Sequence, residues 1–286
     1  LQIAIASGKG GTGKTTVALN LALVASLRGQ PVCLLDCDVE EPNCHLFLRP
    51  VLGPPEDVRL PVPELVAGKC DGCGECARLC RYKAIMSLPG TALIFPEMCH
   101  GCGGCLLVCP RAALREGSRT LGWRQRGAAG DLAFAMGRLR VGEAMASPLI
   151  RRVRKLAQED ALNIIDAPPG TACPVIAAVE GADYVVLVAE PTPFGLNDLE
   201  LAAAMVRALG LPCGVVINRA DVGDGRVEDF CRREGLPVLG RLPFDPGLAA
   251  AYARGELAVS ALPAYGRLFE GLLERVLSAA SRPEAA

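Results

Sequence analysis

Apolar positions along the chain fall into short unbroken runs separated by stretches of helical period. QIAIA (2–6) gives way to a glycine-rich turn, and TTVALNLALVASLRG (15–29) then keeps apolar residues at helical spacing until Gly29, so strand, loop and helix are predicted. PVCLLD (31–36), ALNIID (161–166), YVVLVAE (184–190), CGVVIN (213–218) and LPVLGRLP (236–243) are further runs of strand length, and GLNDLELAAAMVRALG (195–210) and GRVEDFCRREG (225–235) are helical between the later ones. Continuous apolar strands alternating with helices predict an α/β fold on a mostly parallel, doubly wound sheet. RPVLGPPEDVRLPVPE (49–64) breaks the rhythm, and its prolines predict a linker, with the alternation resuming only near residue 148. The last periodic stretch puts Leu268, Phe269, Leu272, Leu273, Val276 and Leu277 on one face, as a packed core helix would.

The interruption contains a repeat. Cys70, Cys73, Cys76 and Cys80 recur 29 residues later as Cys99, Cys102, Cys105 and Cys109, and the match continues to Ala84 and Ala113. Fourteen cysteines in 286 residues fall short of a disulfide scaffold, and eight of them in two tight runs point to metal in a reducing compartment. Structural zinc is one reading, but zinc favours separated cysteine pairs over C-x2-C-x2-C-x3-C. Residues 64–115 resemble the bacterial two-cluster ferredoxins, whose thiolates hold [4Fe–4S] clusters with each run's fourth cysteine serving the other cluster. The resemblance implies Cys70, Cys73, Cys76 and Cys109 for one cluster, and Cys99, Cys102, Cys105 and Cys80 for the other. Gly72, Gly74, Gly101, Gly103 and Gly104 suit a backbone that wraps closely and aims N–H groups at sulfur. Arg81 stands where that family has proline, which costs turn rigidity and no ligand, and His100 reads as a solvent-facing loop residue.

GKGGTGKT (8–15) satisfies G-x4-G-K-T between a predicted strand and helix. Backbone N–H groups of Gly8, Lys9, Gly10, Gly11, Thr12, Gly13 and Thr16 would cradle phosphates, Lys14 would reach the β- and γ-phosphates, and Thr15 would take Mg²⁺. A lysine ahead of the glycines as well as after them resembles the deviant Walker A of the MinD/ParA/Mrp family of P-loop ATPases, and the likeness extends through the chain outside the cysteine repeat. It implies a homodimer sandwiching two ATP molecules, with Lys9 crossing to the partner's phosphates. LLDCDVEEPN (34–43) matches that family's D-x-D, so Asp38 would orient the attacking water and Asp36 would lie near the metal; capping at a strand end is the plainer alternative. IIDAPPGT (164–171) matches its Walker B and switch II, so Asp166 would hold Mg²⁺ through water and the Gly170 amide would sense the γ-phosphate. INRAD (217–221) also reads as a loose guanine motif, but the resemblance favours ATP, with Asn218, Arg219 and the PFDP loop (243–246) around the base. The divisions that follow are an ATPase domain over 1–56 and 119–286, and a ferredoxin-like insert over 57–118.

Composition narrows the partners. The net charge of −1, the absence of an uninterrupted apolar run of membrane length and the absence of a charged leader predict a soluble, cytoplasmic chain for which nucleic acid and membrane are not expected partners. Residues 111–155 carry eleven Arg or Lys against Glu116, Asp131 and Glu143; a solvated face, a DNA patch by analogy and a dock for an acidic redox partner all fit. Cys173 lies seven residues after Asp166. In the nitrogenase iron protein, a distant relative in the same ATPase class, a cysteine at that offset ligates a cluster bridging two subunits; packing at the helix start is the plain reading, and Cys44 is the candidate second cysteine. Three functions follow: a slow, partner-stimulated ATPase gating electron transfer through the clusters, an Mrp-like iron–sulfur carrier or assembly factor, and a positioning ATPase of ParA/MinD type.

Overall fold

A computed structural model describes residues 1–281. In chain order, β1 (Gln2–Ala6), α1 (Lys14–Leu27), β2 (Val32–Asp36) and the short α2 (Cys44–Leu48) are followed by β3 (Val51–Leu52) and β4 (Glu56–Leu65). A cysteine-bearing lobe comes next, with α3 (Glu75–Leu79), β5 (Ile85–Leu88), β6 (Thr91–Ile94) and α4 (Gly104–Leu107), and β7 (Leu114–Ala129) and β8 (Leu132–Leu139) lead back. The alternation then runs α5 (Ser147–Arg154), β9 (Leu162–Asp166), α6 (Cys173–Val179), β10 (Tyr184–Ala189), α7 (Pro193–Ala208), β11 (Cys213–Asn218), α8 (Arg226–Arg233), β12 (Val238–Leu242), α9 (Pro246–Ala253), α10 (Ala258–Ala261) and α11 (Pro263–Ala280).

The main sheet has the order β12-β11-β10-β1-β9-β2-β8-β7-β3, with β4 also on β7. From β12 to β8 every pairing is parallel. Side chains alternate between two cores: Ala4 and Ala6 face the helices that carry Leu149, Val175, Leu199 and Phe230, while Ile3 and Ile5 face those that carry Val17, Ala258 and Phe269. Helices therefore cover both faces, as the apolar runs predict. α11 buries Tyr265, Phe269, Leu272, Leu273 and Val276, and no helix among the described residues is long and apolar enough to cross a membrane.

The proline-rich stretch is not a linker. β4 pairs antiparallel with β7 from Glu56 opposite Arg124 to Leu65 opposite Leu114. Val58, Leu60 and Val62 are buried at period two, and an edge strand can spare the N–H that Pro61 and Pro63 lack. Nor does the sheet wait until residue 148, since β8 already lies parallel to β2, and β7 runs unbroken through residue 118. β7 meets the end of β8 at Gly122 opposite Leu139. Residues 114–121 therefore continue beyond the sheet edge where β1, β2 and β9 end, for about 26 Å at strand rise. The β4/β7 ribbon lifts the cysteine lobe above the edge that also carries the glycine-rich turn.

Six of the eleven basic residues of the segment are paired with acids, two of them across the β4/β7 ladder. Arg111, Arg115, Arg124, Arg140 and Arg151 pair with Asp71, Glu64, Glu56, Glu97 and Glu180, and Arg119 forms a buried pair with Glu143. Those pairings match the solvated-face reading rather than a free cationic patch.

Candidate functional site

The turn between β1 and α1 owes its shape to glycine. Gly11 and Gly13 take φ of 78° and 94°, in the left-handed region. Gly13 precedes α1 with no side-chain cap on the helix, so the first N–H groups of α1 stay available to an anion. Gly8 abuts the Asp198 backbone too closely for a Cβ. Lys14 is 6% exposed and Thr12 is buried with its Oγ1 unpartnered, while Lys9, Thr15 and Thr16 are half-buried and Gly10 is open. A cavity of about 450 Å³ opens over Gly10, Lys14 and Thr16 and continues between Asn218, Phe244 and Tyr252, leaving space for a nucleoside beyond the phosphates.

Three strand ends place acids around the glycine-rich turn. Thr15 Oγ1 donates to Asp166 Oδ2 at 2.7 Å. Asp36 accepts the amides of Asp38, Asn43 and Cys44 at 3.1–3.2 Å, so it fixes the following loop as the capping alternative requires. Donor atoms of Asp36, Cys44 and Asp166 lie within 4.8 Å of one another. Asp166 Oδ1 is buried with no partner, which a cation would supply. Burial first, and the Asp166 charge second, push Asp36 well up; burial likewise raises Asp166. Asp38 is pushed up to about 6 by burial and then by Asp166, with Lys14 opposing. Hard oxygen donors held in this strained ionisation fit Mg²⁺.

The third acid is one that sequence reading missed. Glu190 ends the run YVVLVAE, and its nearly buried carboxylate lies 3.5 Å from Lys9 Nζ and 3.1 Å from Arg219 Nη1. The signal was present, because β10 ends in an acid at the same sheet edge as β2 and β9. Lys9 is therefore held within its own chain. Arg219, expected near the base, is bound to Glu190 and lies 5.9 Å over the Phe244 ring. Asn218 lines the cavity, but its Nδ2 donates to Thr12 O at 2.8 Å and braces the phosphate loop. The Gly170 amide donates to Ser7 O at 3.0 Å, tying switch II to β1.

Cys44 is fully buried and donates to Asp166 Oδ2 at 3.4 Å. It cannot serve as a surface partner for a cluster bridging two chains. Cys173, by contrast, is exposed at the first turn of α6, which contradicts the packing reading.

In the lobe the eight thiols sort into two pockets. One is lined by Cys70, Cys73, Cys76 and Cys109, the other by Cys80, Cys99, Cys102 and Cys105. Ala84 N donates to Cys80 Sγ and Ala113 N to Cys109 Sγ, both at 3.3 Å, and Gly101 N donates to Cys99 Sγ at 3.4 Å. The alanines that extend the sequence repeat thus mark a repeated N–H···S contact. Burial, then the neighbouring thiols, raises the Cys76 and Cys105 thiols; a thiophilic cationic centre would reverse that. Four convergent sulfurs with amides aimed at them fit an iron–sulfur cluster. His100 is exposed as expected, and its ring also stacks on Tyr82 with centroids 3.5 Å apart.

Hydrogen bonds connect the two regions. Val39, next to Asp38, accepts from Leu139 N at the tip of β8, and Arg140 N donates to Leu121 O on the ribbon, both at 2.8 Å. Arg140 Nη2 reaches Glu97, two residues before Cys99, at 3.4 Å. A Cβ on Gly101 would fall 2.9 Å from Leu60 Cδ1, so the second cysteine loop rests on β4.

Known proteins resemble this chain to different depths. Pyrococcus horikoshii septum site-determining protein MinD, solved with Mg-ADP, superimposes with a TM-score of 0.60 at 20% identity over 98% of this chain and 97% of its own. An uncharacterized protein of Methanocaldococcus jannaschii is 34% identical over 204 residues, 69% of this chain and 70% of that one. An iron-sulfur cluster carrier protein of Aquifex aeolicus is 28% identical over 276 residues, 91% of this chain and 62% of the carrier. Residues 3–259 match the family model described as the CobQ/CobB/MinD/ParA nucleotide binding domain. With its glycine-rich turn, acid-tipped strands and doubly wound sheet, the chain belongs to that family.

Proposed function

We propose that this chain is an ATP-hydrolysing switch that dimerises around two nucleotides and gates electron transfer, through two [4Fe–4S] clusters in the ferredoxin-like insert, to a partner protein. The observation that carries this reading is the route of chain neighbours and polar contacts from Asp38 and Val39, through Leu139 and Arg140, to Glu97, two residues before Cys99. Lys14 and the α1 amides bind and orient the phosphates. Thr15 and Asp166 would hold Mg²⁺, which would neutralise phosphate charge, and Asp38 would orient the attacking water. Release of Lys9 from Glu190 supplies positive charge to the partner's phosphates. The clusters supply one-electron chemistry; the chain's thiols hold them and its amides stabilise the sulfur charge.

The second reading is an iron–sulfur carrier. It is favoured by the carrier proteins among the relatives and by the exposure of Cys173 beside switch II. One anaerobic preparation separates the two: ATP should accelerate electron flow to a low-potential acceptor and leave cluster transfer to an apo-protein unchanged. Acceleration of transfer alone would favour the carrier. Zinc without iron in the purified protein would end the electron-transfer reading.

A further inference from the structure

The two thiol pockets differ in their surroundings. Around the first, charges are neutralised locally, with Asp71 bound to Arg111 and Glu75 to Arg78. The lobe's remaining acid, Glu97, is taken by Arg140. Around the second, Leu79 and Tyr82 are 45% and 46% exposed and Tyr82 stacks on exposed His100, while Cys102 reaches the surface as Cys73 does in the first. A cavity of about 320 Å³ there is lined by Tyr82, His100, Arg81 and the second thiol set. Arg81 and Lys83, on either side of Tyr82, are exposed. Every carboxylate of the lobe is paired, and neither of these cations has an acidic partner among the described residues. Arg81 also occupies the position that is Pro110 in the second repeat, so the departure from the repeat puts a cation at this mouth.

We propose that this face, an aromatic and apolar centre flanked by Arg81 and Lys83 over the second thiol set, is the docking surface for an acidic redox protein. It deepens the electron-transfer reading and rests on it. Unpaired cations beside a desolvatable aromatic patch attract an acidic rim and orient it, and such steering weakens with salt. Tyr82 supplies contact area at small entropy cost, whereas the lobe's first pocket has a single unpaired exposed cation, Lys69, beside it and no aromatic side chain in its lining. In an encounter with a reduced flavodoxin, one electron leaves the flavin and one enters this chain, with no bond made or broken here.

The test uses the whole chain and an acidic flavodoxin as probe, with the dissociation constant read by fluorescence anisotropy at low and high salt. Arg81→Glu/Lys83→Glu should weaken binding at least about tenfold at low salt and flatten its salt dependence. Tyr82→Ala should weaken it at both salts. A charge-matched control at the C-terminal end of α5, Arg152→Glu/Lys155→Glu, should stay within about twofold. Iron content and circular dichroism check the fold, and Arg81→Gln/Lys83→Gln replaces any variant that fails them. Equal binding by the lobe variant and the parent, or an equal loss in the α5 control, would overturn the docking assignment. Because binding is read without turnover, that failure is distinct from absence of clusters, which iron analysis alone reveals.

Discussion

Replacing Glu190 by glutamine should strengthen ATP-dependent dimerisation. In the present conformation Lys9 Nζ lies 3.5 Å from Glu190 Oε2, with the lysine side chain 34% exposed and the glutamate 11%. Such a pair lies between an exposed ion pair and a buried one, and about 1 kcal/mol is a fair value for what must be given up when Lys9 swings toward a partner's phosphate. Two chains release one lysine each, so the dimer gains about 2 kcal/mol, or about thirtyfold in its dissociation constant. Arg219 loses a charge partner but keeps an amide oxygen in place of Oε1, and at 51% exposure water can solvate it. Sedimentation velocity with Mg²⁺ and a slowly hydrolysed ATP analogue reads the change, and a cycle with Lys9→Ala isolates the pair. Unchanged or weaker dimerisation, or a gain that persists without Lys9, would refute the latch.

The other expectations concern the two lysines, the crossed ligands and the acid cluster. Lys14→Ala should abolish nucleotide binding, whereas Lys9→Ala should bind ATP and fail to dimerise, as equilibrium binding and light scattering will register. Cys109→Ala should damage the cluster of Cys70, Cys73 and Cys76 and spare its neighbour, visible as loss of one of two EPR signals. Asp38 is held near a pKa of about 6 by burial and the Asp166 charge, above its unfolded value. Its ionisation therefore costs nothing below about pH 4, and the cost grows as pH rises through 6. With Mg²⁺ omitted, Asp38→Asn should raise stability at pH 7.5 by on the order of 2 kcal/mol and leave it unchanged at pH 4, measured by urea unfolding.

Local patterns were legible in the sequence, and pairings between distant residues were not. β1, α1, β9 and α11 declare themselves by apolar period, and the thiol sets by spacing. β4 did not, because Pro61 and Pro63 read as breakers; the alternation of Val58, Leu60 and Val62 was the overlooked signal. β7 was hidden by its arginines, whose partners Glu56, Glu64 and Glu143 lie 68, 51 and 24 residues away in no order a linear reading exposes. Glu190 was legible as a strand-end acid but not as the partner of Lys9, which lies across two parallel crossovers. Burial of Cys44 against Asp166 depends likewise on β2 and β9 being neighbours.

In the proposed function nucleotide and clusters are coupled, and the cluster reduction potential reads that coupling. EPR-monitored titrations with and without the slowly hydrolysed ATP analogue should differ by about 40–130 mV for at least one cluster, the equivalent of a coupling of about 1–3 kcal/mol for one electron. The shift should vanish in Lys9→Ala, which binds nucleotide without closing the dimer. Identical potentials in both titrations, with nucleotide shown to be bound, would contradict the coupling and leave an ATPase carrying an independent ferredoxin.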